Sequence, residues 1–91
     1  MLEPVLSHAF KKETKLMRKR GRDITKLRTV TTMLINEQPL LAKHHNHPLH
    51  GGEWEGKWEC HVEPDWLLVY RIDKKKGLIM FYRTGTHTDL F

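Results

Sequence analysis

Three short segments concentrate side chains that can move protons or bind phosphate: HPLH at 47–50, HVEPDW at 61–66 and RTGTH at 83–87. Histidine exchanges a proton near neutral pH because its usual pKa is about 6.5. Cleavage of RNA needs a base for the 2′-hydroxyl, an acid for the departing 5′ oxygen and a cation at the phosphate, and arginine suits the last task. The candidates for this chemistry, which requires no metal ion and no cofactor, are His47, His61, Asp65, Arg83 and His87.

Two other interpretations of these residues compete with catalysis. A structural zinc site is disfavoured, since the chain has no CxxC pair, no helical histidine pair and a single cysteine, Cys60. Neighbouring residues of an extended loop point in different directions, so we interpret His44, His45 and His50 as incidental histidines of a polar loop. The candidates also have structural alternatives, namely an ion pair for Arg83, a turn cap for Asp65 and a strand hydrogen bond for His61.

The flanking sequence predicts two helices followed by antiparallel strands. Ser7 is the N-cap of a first helix that ends before Gly21, and Asp23 caps a second helix, so the two form a hairpin. We expect an edge strand at 2–6, a long loop at 39–53, a polar tail at 84–91, and strands at 58–62, 66–72 and 78–83. In the middle strand, alternation places Trp66, Leu68 and Tyr70 on the core face. The chain is thus predicted to be one α+β domain, 1–91, with the helical hairpin packed on a small, mostly antiparallel sheet.

The charge of the chain indicates an anionic partner. The net charge is +5, and nine of the sixteen Lys and Arg residues lie between residues 11 and 28. Such a basic band suits nucleic acid, although a solvated helix face would have the same composition. No apolar run approaches the roughly 20 residues that span a bilayer. The single cysteine fits a reducing compartment, so we expect a cytoplasmic protein without a membrane partner.

Longer versions of the three motifs, HPLHGG (47–52), HVEPDWLLVY (61–70) and RTGTHTDLF (83–91), resemble those of the YafQ-like toxins. These toxins belong to the RelE/ParE superfamily of bacterial type II toxin–antitoxin systems. The resemblance covers nearly the whole chain and implies a compact RelE-like fold. It also implies an endoribonuclease that cuts mRNA in the decoding site of the 70S ribosome. The further implied partners are a cognate antitoxin that blocks the cleft and operator DNA, contacted only through the antitoxin complex.

The resemblance assigns roles to the candidate residues. It implies that His87 is the general acid, that Asp65 or His47 is the general base, and that Arg83 holds the scissile phosphate. His61 would orient the substrate or share the proton transfer, and the terminal Phe91 would stack on a base. The cations expected to bind ribosomal RNA are Lys11, Lys12, Lys15 and Arg18.

Two rival functions remain at this stage. One is a non-catalytic poison of DNA gyrase, which is the function that a resemblance to the ParE branch of the superfamily would imply. The other is a basic metal-binding or RNA-binding module. A gyrase poison does not need an acid–base set, so the presence of these five side chains favours the nuclease.

Overall fold

The computed structural model describes all residues, 1–91, and contains three helices and one five-stranded sheet. The helices are α1 (His8–Lys19), α2 (Ile24–Ile35) and α3 (His87–Leu90). The strands are β1 (Glu3–Leu6), β2 (His47–Pro48), β3 (Trp58–Glu63), β4 (Trp66–Asp73) and β5 (Leu78–Gly85). Two 3₁₀ turns, Ala42–His44 and Gly52–Trp54, lie in the long connection between α2 and β3. None of the helices has the length and apolar character needed to cross a membrane.

Both predicted helix starts are confirmed by their capping contacts. The Ser7 hydroxyl accepts a hydrogen bond from the Phe10 amide at 2.9 Å, and the Asp23 carboxylate accepts one from the Thr25 amide at 3.0 Å. Gly21 follows α1 with a positive φ of 85°, a conformation that glycine adopts without steric cost. The predicted turn between the two helices is therefore confirmed.

The sheet has the strand order β1-β5-β4-β3-β2. Neighbouring strands are antiparallel, except that β1 runs parallel to β5 at the edge. This mixed sheet with two helices packed on it confirms the predicted α+β fold. Strands β3, β4 and β5 extend one or two residues beyond the predicted ranges, whereas β1 begins one residue later than predicted, and the loop at 39–53 contributes the two-residue strand β2.

The two faces of the sheet bury two separate clusters. The larger cluster joins Leu27 and Val30 of α2 to Trp66, Leu68 and Tyr70 of β4, which confirms the predicted core face. The opposite face carries a small cluster of Leu67, Val69 and Leu90, with Leu49, Trp54 and Tyr82 packed against it.

The prediction of a polar tail at 84–91 is wrong. Thr84 and Gly85 continue β5, and α3 follows immediately. Thr86 and Asp89 form a capping box, in which each side chain accepts a hydrogen bond from the backbone of the other residue. This helix start places His87 at a fixed position beside the end of the sheet.

Candidate active site

One buried carboxylate lies between two of the predicted site histidines. His47 of β2 pairs with Glu59 of β3, and Glu59 and His61 are two residues apart, so all three side chains point to the same side of the sheet. The Nε2 atoms of His47 and His61 lie 3.3 and 3.5 Å from Oε1 of Glu59. The Glu59 side chain is only 7% exposed. Because a buried carboxylate is costly without partners, the two imidazoles stabilise it, and it in turn orients them.

The two histidines differ in the atoms that remain available. His47 also contacts the Pro48 carbonyl oxygen through Nδ1 at 3.1 Å, so both of its ring nitrogens are engaged. His61 has only its Nε2 directed at Glu59, and its Nδ1 has no hydrogen-bond partner within the protein. His61 is therefore the histidine of this pair whose second nitrogen is available to a substrate.

A second carboxylate binds the third histidine. Asp65, in the turn between β3 and β4, accepts hydrogen bonds at Oδ1 from Nδ1 of His87 at 2.6 Å and from the His87 amide at 3.1 Å. These two hydrogen bonds lower the pKa of Asp65, so it remains a carboxylate. An ionised carboxylate can only accept, so the proton lies on Nδ1 of His87. Nε2 of His87 consequently faces outward and can exchange a proton with a substrate.

The short helix α3 holds His87 in place through contacts at its far end. Asp89 accepts two hydrogen bonds from Arg20 at 2.6 and 3.1 Å, and Arg20 holds the pKa of Asp89 well below its usual range. Gly85 precedes the helix, and a Cβ atom there would lie 3.0 Å from Cβ of Asp89. A side chain at this position would push α3 away from the sheet.

The ring of His61 connects the two carboxylate–histidine pairs. Its centroid lies 5.7 Å from that of His87 and 5.4 Å from that of His45.

His44, which precedes His45 in the chain, is buried, and its Nδ1 lies 2.6 Å from the His61 carbonyl oxygen. The structure thus corrects the interpretation of His44 as an incidental loop histidine, because it anchors the first 3₁₀ turn to β3. His50 is exposed and contacts only the exposed Glu55, as expected for an incidental residue.

Arg83 forms an ion pair with Glu13, so the structural alternative to catalysis that the sequence offers for this residue is present. Its Nε and Nη2 atoms donate to the carboxylate of Glu13 in α1 at 2.6–2.9 Å. The pKa of Arg83 is raised, first by the hydrogen bonds to Glu13. This side-on contact leaves Nη1 outside the pair, so the guanidinium is both fixed and able to bind a further anion.

Phe91 packs on a partner that the sequence did not indicate. Its ring lies 5.0 Å from that of Trp54, at an angle of 45°. The Phe91 residue is 60% exposed, so one face of the ring remains open. The Nζ of Lys57 lies 4.7 Å from the centre of the Tyr82 ring and 6.0 Å from that of the Trp54 ring, so cation–π contacts help to hold Trp54 in place.

The four predicted RNA-binding cations are all exposed on α1. None of them contributes to the contacts that join His47, His61, Asp65 and His87. They form a separate surface, here called the α1 basic surface, which consists of Lys11, Lys12, Lys15 and Arg18.

Sequence reasoning missed Glu59, Glu13 and Trp54. Glu59 could have been found, since an acid two residues before His61 in a strand must share its face. Glu13 gives no such signal, because it lies 70 residues from Arg83 and only the packing of α1 on β5 brings them together. Trp54 lies in a loop that has no periodicity, so its contact with Phe91 depends on the path of the chain.

The buried carboxylate and its two histidines also have the geometry of a metal site. One ligand atom each from His47, Glu59 and His61 lies within 4.8 Å of the others. Two imidazole nitrogens and one carboxylate oxygen suit zinc or copper. This set differs from the zinc site rejected from the sequence, which required CxxC or helical histidine pairs.

Comparison with known proteins identifies relatives that match nearly the whole chain. Residues 2–91 match the family model described as a bacterial toxin of a type II toxin–antitoxin system, YafQ. The mRNA interferase toxin YafQ of Escherichia coli K12 is 46% identical over 86 residues, which cover 93% of this chain and 90% of that protein.

Solved structures show the same fold. YafQ in the E. coli DinJ–YafQ complex superposes with a TM-score of 0.89 at 42% identity, covering 100% of this chain and 99% of that one. A metal-bound toxin from Helicobacter pylori superposes with a TM-score of 0.92 at 42% identity over the full length of both chains. The chain therefore belongs to the YafQ family of bacterial type II toxins.

Proposed function

We propose that this protein is an mRNA interferase that cleaves mRNA in the decoding site of the ribosome. The observation that supports this most is the pair of carboxylate-backed imidazoles, Glu59–His61 and Asp65–His87, whose rings lie 5.7 Å apart. A histidine oriented by an acid on one nitrogen can exchange a proton through the other. Two such groups this close together provide both proton transfers of RNA cleavage. The name mRNA interferase carried by the E. coli relative favours this nuclease over a gyrase poison.

The geometry suggests a division of roles. His61, through Nδ1, removes the proton from the 2′-hydroxyl, and His87, through Nε2, protonates the departing 5′ oxygen, which leaves a 2′,3′-cyclic phosphate. Such positioned groups each contribute about 10²–10⁴-fold in rate. Asp65 is already bound to His87, so we assign it to orienting the acid instead of acting as an independent base. His47 positions Glu59, and Arg83 holds the scissile phosphate through its free Nη1.

Phe91 and the α1 basic surface would bind RNA outside the reacting atoms. A base that stacks on the open face of Phe91 would gain about 1–3 kcal/mol. The α1 basic surface would contact ribosomal RNA phosphates, with salt-dependent affinity. Neutralising its four cations should lower the fraction of the protein that cosediments with ribosomes. Neutralising Lys74, Lys75 and Lys76 in the β4–β5 turn should leave this fraction unchanged.

The metal-bound relative suggests that His47, Glu59 and His61 can hold a transition metal in this chain as well. A metal ion there would supply a Lewis acid for phosphate oxygens. The proton transfers described above use the side chains alone. Glu59→Gln should weaken zinc binding measured by competition with a chromophoric chelator, whereas His50→Ala should leave it unchanged.

The proposed partner that controls this activity is a cognate antitoxin, because the E. coli relative is solved as a complex with DinJ. We expect a small protein encoded beside the toxin to bind it, cover the cleft and suppress cleavage. Co-expression of the two, followed by purification through a tag on the toxin, tests this expectation.

Mapping of mRNA 5′ ends after incubation with programmed 70S ribosomes tests the function directly. The intact protein should cut the mRNA only when ribosomes are present, and the upstream product should carry a 2′,3′-cyclic phosphate. His87→Ala should lose about 10²–10⁴-fold in rate, whereas the exposed histidine variant His50→Ala should cleave normally. No cleavage by the intact chain would refute the function, and undiminished cleavage by His87→Ala would remove His87 as the acid.

A further inference from the structure

A pocket beside the proposed general base, His61, is also lined by two side chains that the reaction does not use, Lys43 and His45. Its walls are Lys43, His45, His61 and Pro64. His87 does not line it, and the rings of His45 and His87 lie 5.4 and 5.7 Å from the ring of His61. Anions suit such a lining, because the ammonium group of Lys43 and the imidazole of His45 can both donate hydrogen bonds to them.

The position of this pocket is fixed by a buried contact. Lys43 and His45 flank His44, whose buried ring binds the His61 carbonyl oxygen at 2.6 Å and so attaches the first 3₁₀ turn to β3. His45 ends this turn in the left-handed conformation, with φ 43° and ψ 50°, and its amide donates to the Ala42 carbonyl at 3.1 Å. This bend directs its ring to within 5.4 Å of His61. The two exposed side chains are therefore held beside the catalytic ring by an ordered backbone.

The surrounding charges leave the pocket cationic. Glu63, which precedes Pro64, is bound by Arg22 at 3.4 Å and by Lys26 at 3.1 Å, so its charge is already compensated. Lys43 has no acidic partner among the ion pairs of the structure. Because the pocket adjoins His61, a strand of RNA that places one phosphate between His61 and His87 would bring a neighbouring phosphate within reach of Lys43 and His45.

We propose that Lys43 and His45, which lie beside His61, form a second phosphate subsite that binds a phosphodiester adjacent to the one that is cleaved. This inference rests on the proposed nuclease function and extends it to substrate positioning. The subsite contacts a phosphate that does not change its charge during the reaction. It should therefore contribute to the binding of ground state and transition state alike, and act on KM more than on kcat.

A double exchange, in the protein and in the RNA, tests this subsite. The protein variant is Lys43→Met with His45→Gln, and the RNA change is a neutral methylphosphonate at either linkage flanking the cleavage site in a synthetic mRNA bound to ribosomes. With unmodified mRNA, the variant should raise KM roughly threefold to tenfold at nearly constant kcat, as expected for exposed charge contacts. One of the two methylphosphonates should cause a similar loss with the intact protein and no further loss with the variant. The control Lys75→Met, in the distant β4–β5 turn, should behave as the intact protein.

The outcomes separate this inference from the nuclease function. If the intact protein cleaves, and each methylphosphonate slows cleavage by the variant as much as it slows cleavage by the intact protein, the subsite is refuted while the nuclease function stands. If the intact protein does not cleave, the nuclease function fails. The subsite is then judged by NMR titration with a 2′-O-methyl trinucleotide, where equal affinities of the intact protein and the double variant would overturn it.

Discussion

The contact between Asp65 and His87 gives the most informative prediction about the mechanism. If Asp65 only orients the general acid, its removal should have no effect once His87 is absent. If Asp65 acts separately as a base, the two losses should multiply. The variants Asp65→Ala, His87→Ala and the double substitution therefore form a cycle that measures the coupling between the two side chains.

The size of the expected effects follows from the geometry. Both side chains are more than half exposed, at 54% and 59%, so solvent screening weakens the charge-assisted hydrogen bond between them. We therefore expect Asp65→Ala to slow cleavage by about 10–30-fold. His87→Ala should slow it by about 10²–10⁴-fold, and the double variant should match His87→Ala.

Single-turnover cleavage on programmed ribosomes is the appropriate assay, with toxin in excess over ribosomes so that binding does not limit the rate. Asp65→Asn should lose less than Asp65→Ala, because the amide oxygen can still accept from Nδ1 of His87. Asp73→Ala is the matched control, since Asp73 is another turn aspartate that accepts a backbone hydrogen bond, from Lys76 at 3.1 Å. A double variant that is 10–30-fold slower than His87→Ala would refute the orienting role and restore Asp65 as a candidate base.

Three further predictions concern the surroundings of the site. Trp54→Ala should lower cleavage at subsaturating toxin by up to the stacking contribution of Phe91, about 5–160-fold for 1–3 kcal/mol, whereas Trp54→Phe should keep most of the activity under the same subsaturating conditions. Burial raises the pKa of the Cys60 thiol to about 12, so iodoacetamide should label it at neutral pH only after urea unfolds the chain. The pKa of Asp89 is lower in the folded protein than in the unfolded chain, so its ion pair with Arg20 stabilises the fold at neutral pH and loses that effect as the pH falls below about 4. In urea titrations, Asp89→Asn should therefore lower the free energy of unfolding at pH 7, and the difference from the intact protein should shrink at pH 3.

The sequence was sufficient where local rules determine the structure. Ser7 and Asp23 cap their helices, Gly21 ends α1, and the alternation in β4 places Trp66 and Leu68 in the core. These features depend on neighbours within a few residues, so one sequence contains the information. The prediction failed at 84–91 because the capping pattern of Thr86 and Asp89 was not recognised, although it was present in the sequence.

The candidate site depends on information of a different kind. The motifs identified the histidines, the arginine and Asp65, but not the acids that orient three of them. The spacing of two in β3 links Glu59 to His61, but Glu59 reaches His47 only when β2 pairs with β3, and Glu13 reaches Arg83 only when α1 packs on β5. Long-range contacts of this type leave no periodic pattern and no fixed spacing in the sequence. The residue types therefore identify the candidate reacting groups but do not show how these groups are arranged.

The arrangement itself explains why so small a domain can hold a reactive cluster. Each cationic or proton-carrying group is held by an acid. His61 and Arg83 are held by Glu59 and Glu13, whose side chains are less exposed than those of their partners. His87 is held by Asp65, which also accepts a hydrogen bond from the His87 amide. The acids are supplied by the folded scaffold, whereas each partner keeps one nitrogen outside its contact with the acid. Removal of an acid should therefore disturb orientation more than charge. Conservative replacements that keep a hydrogen-bond acceptor, such as Glu59→Gln and Glu13→Gln, should retain more activity than the corresponding alanine variants.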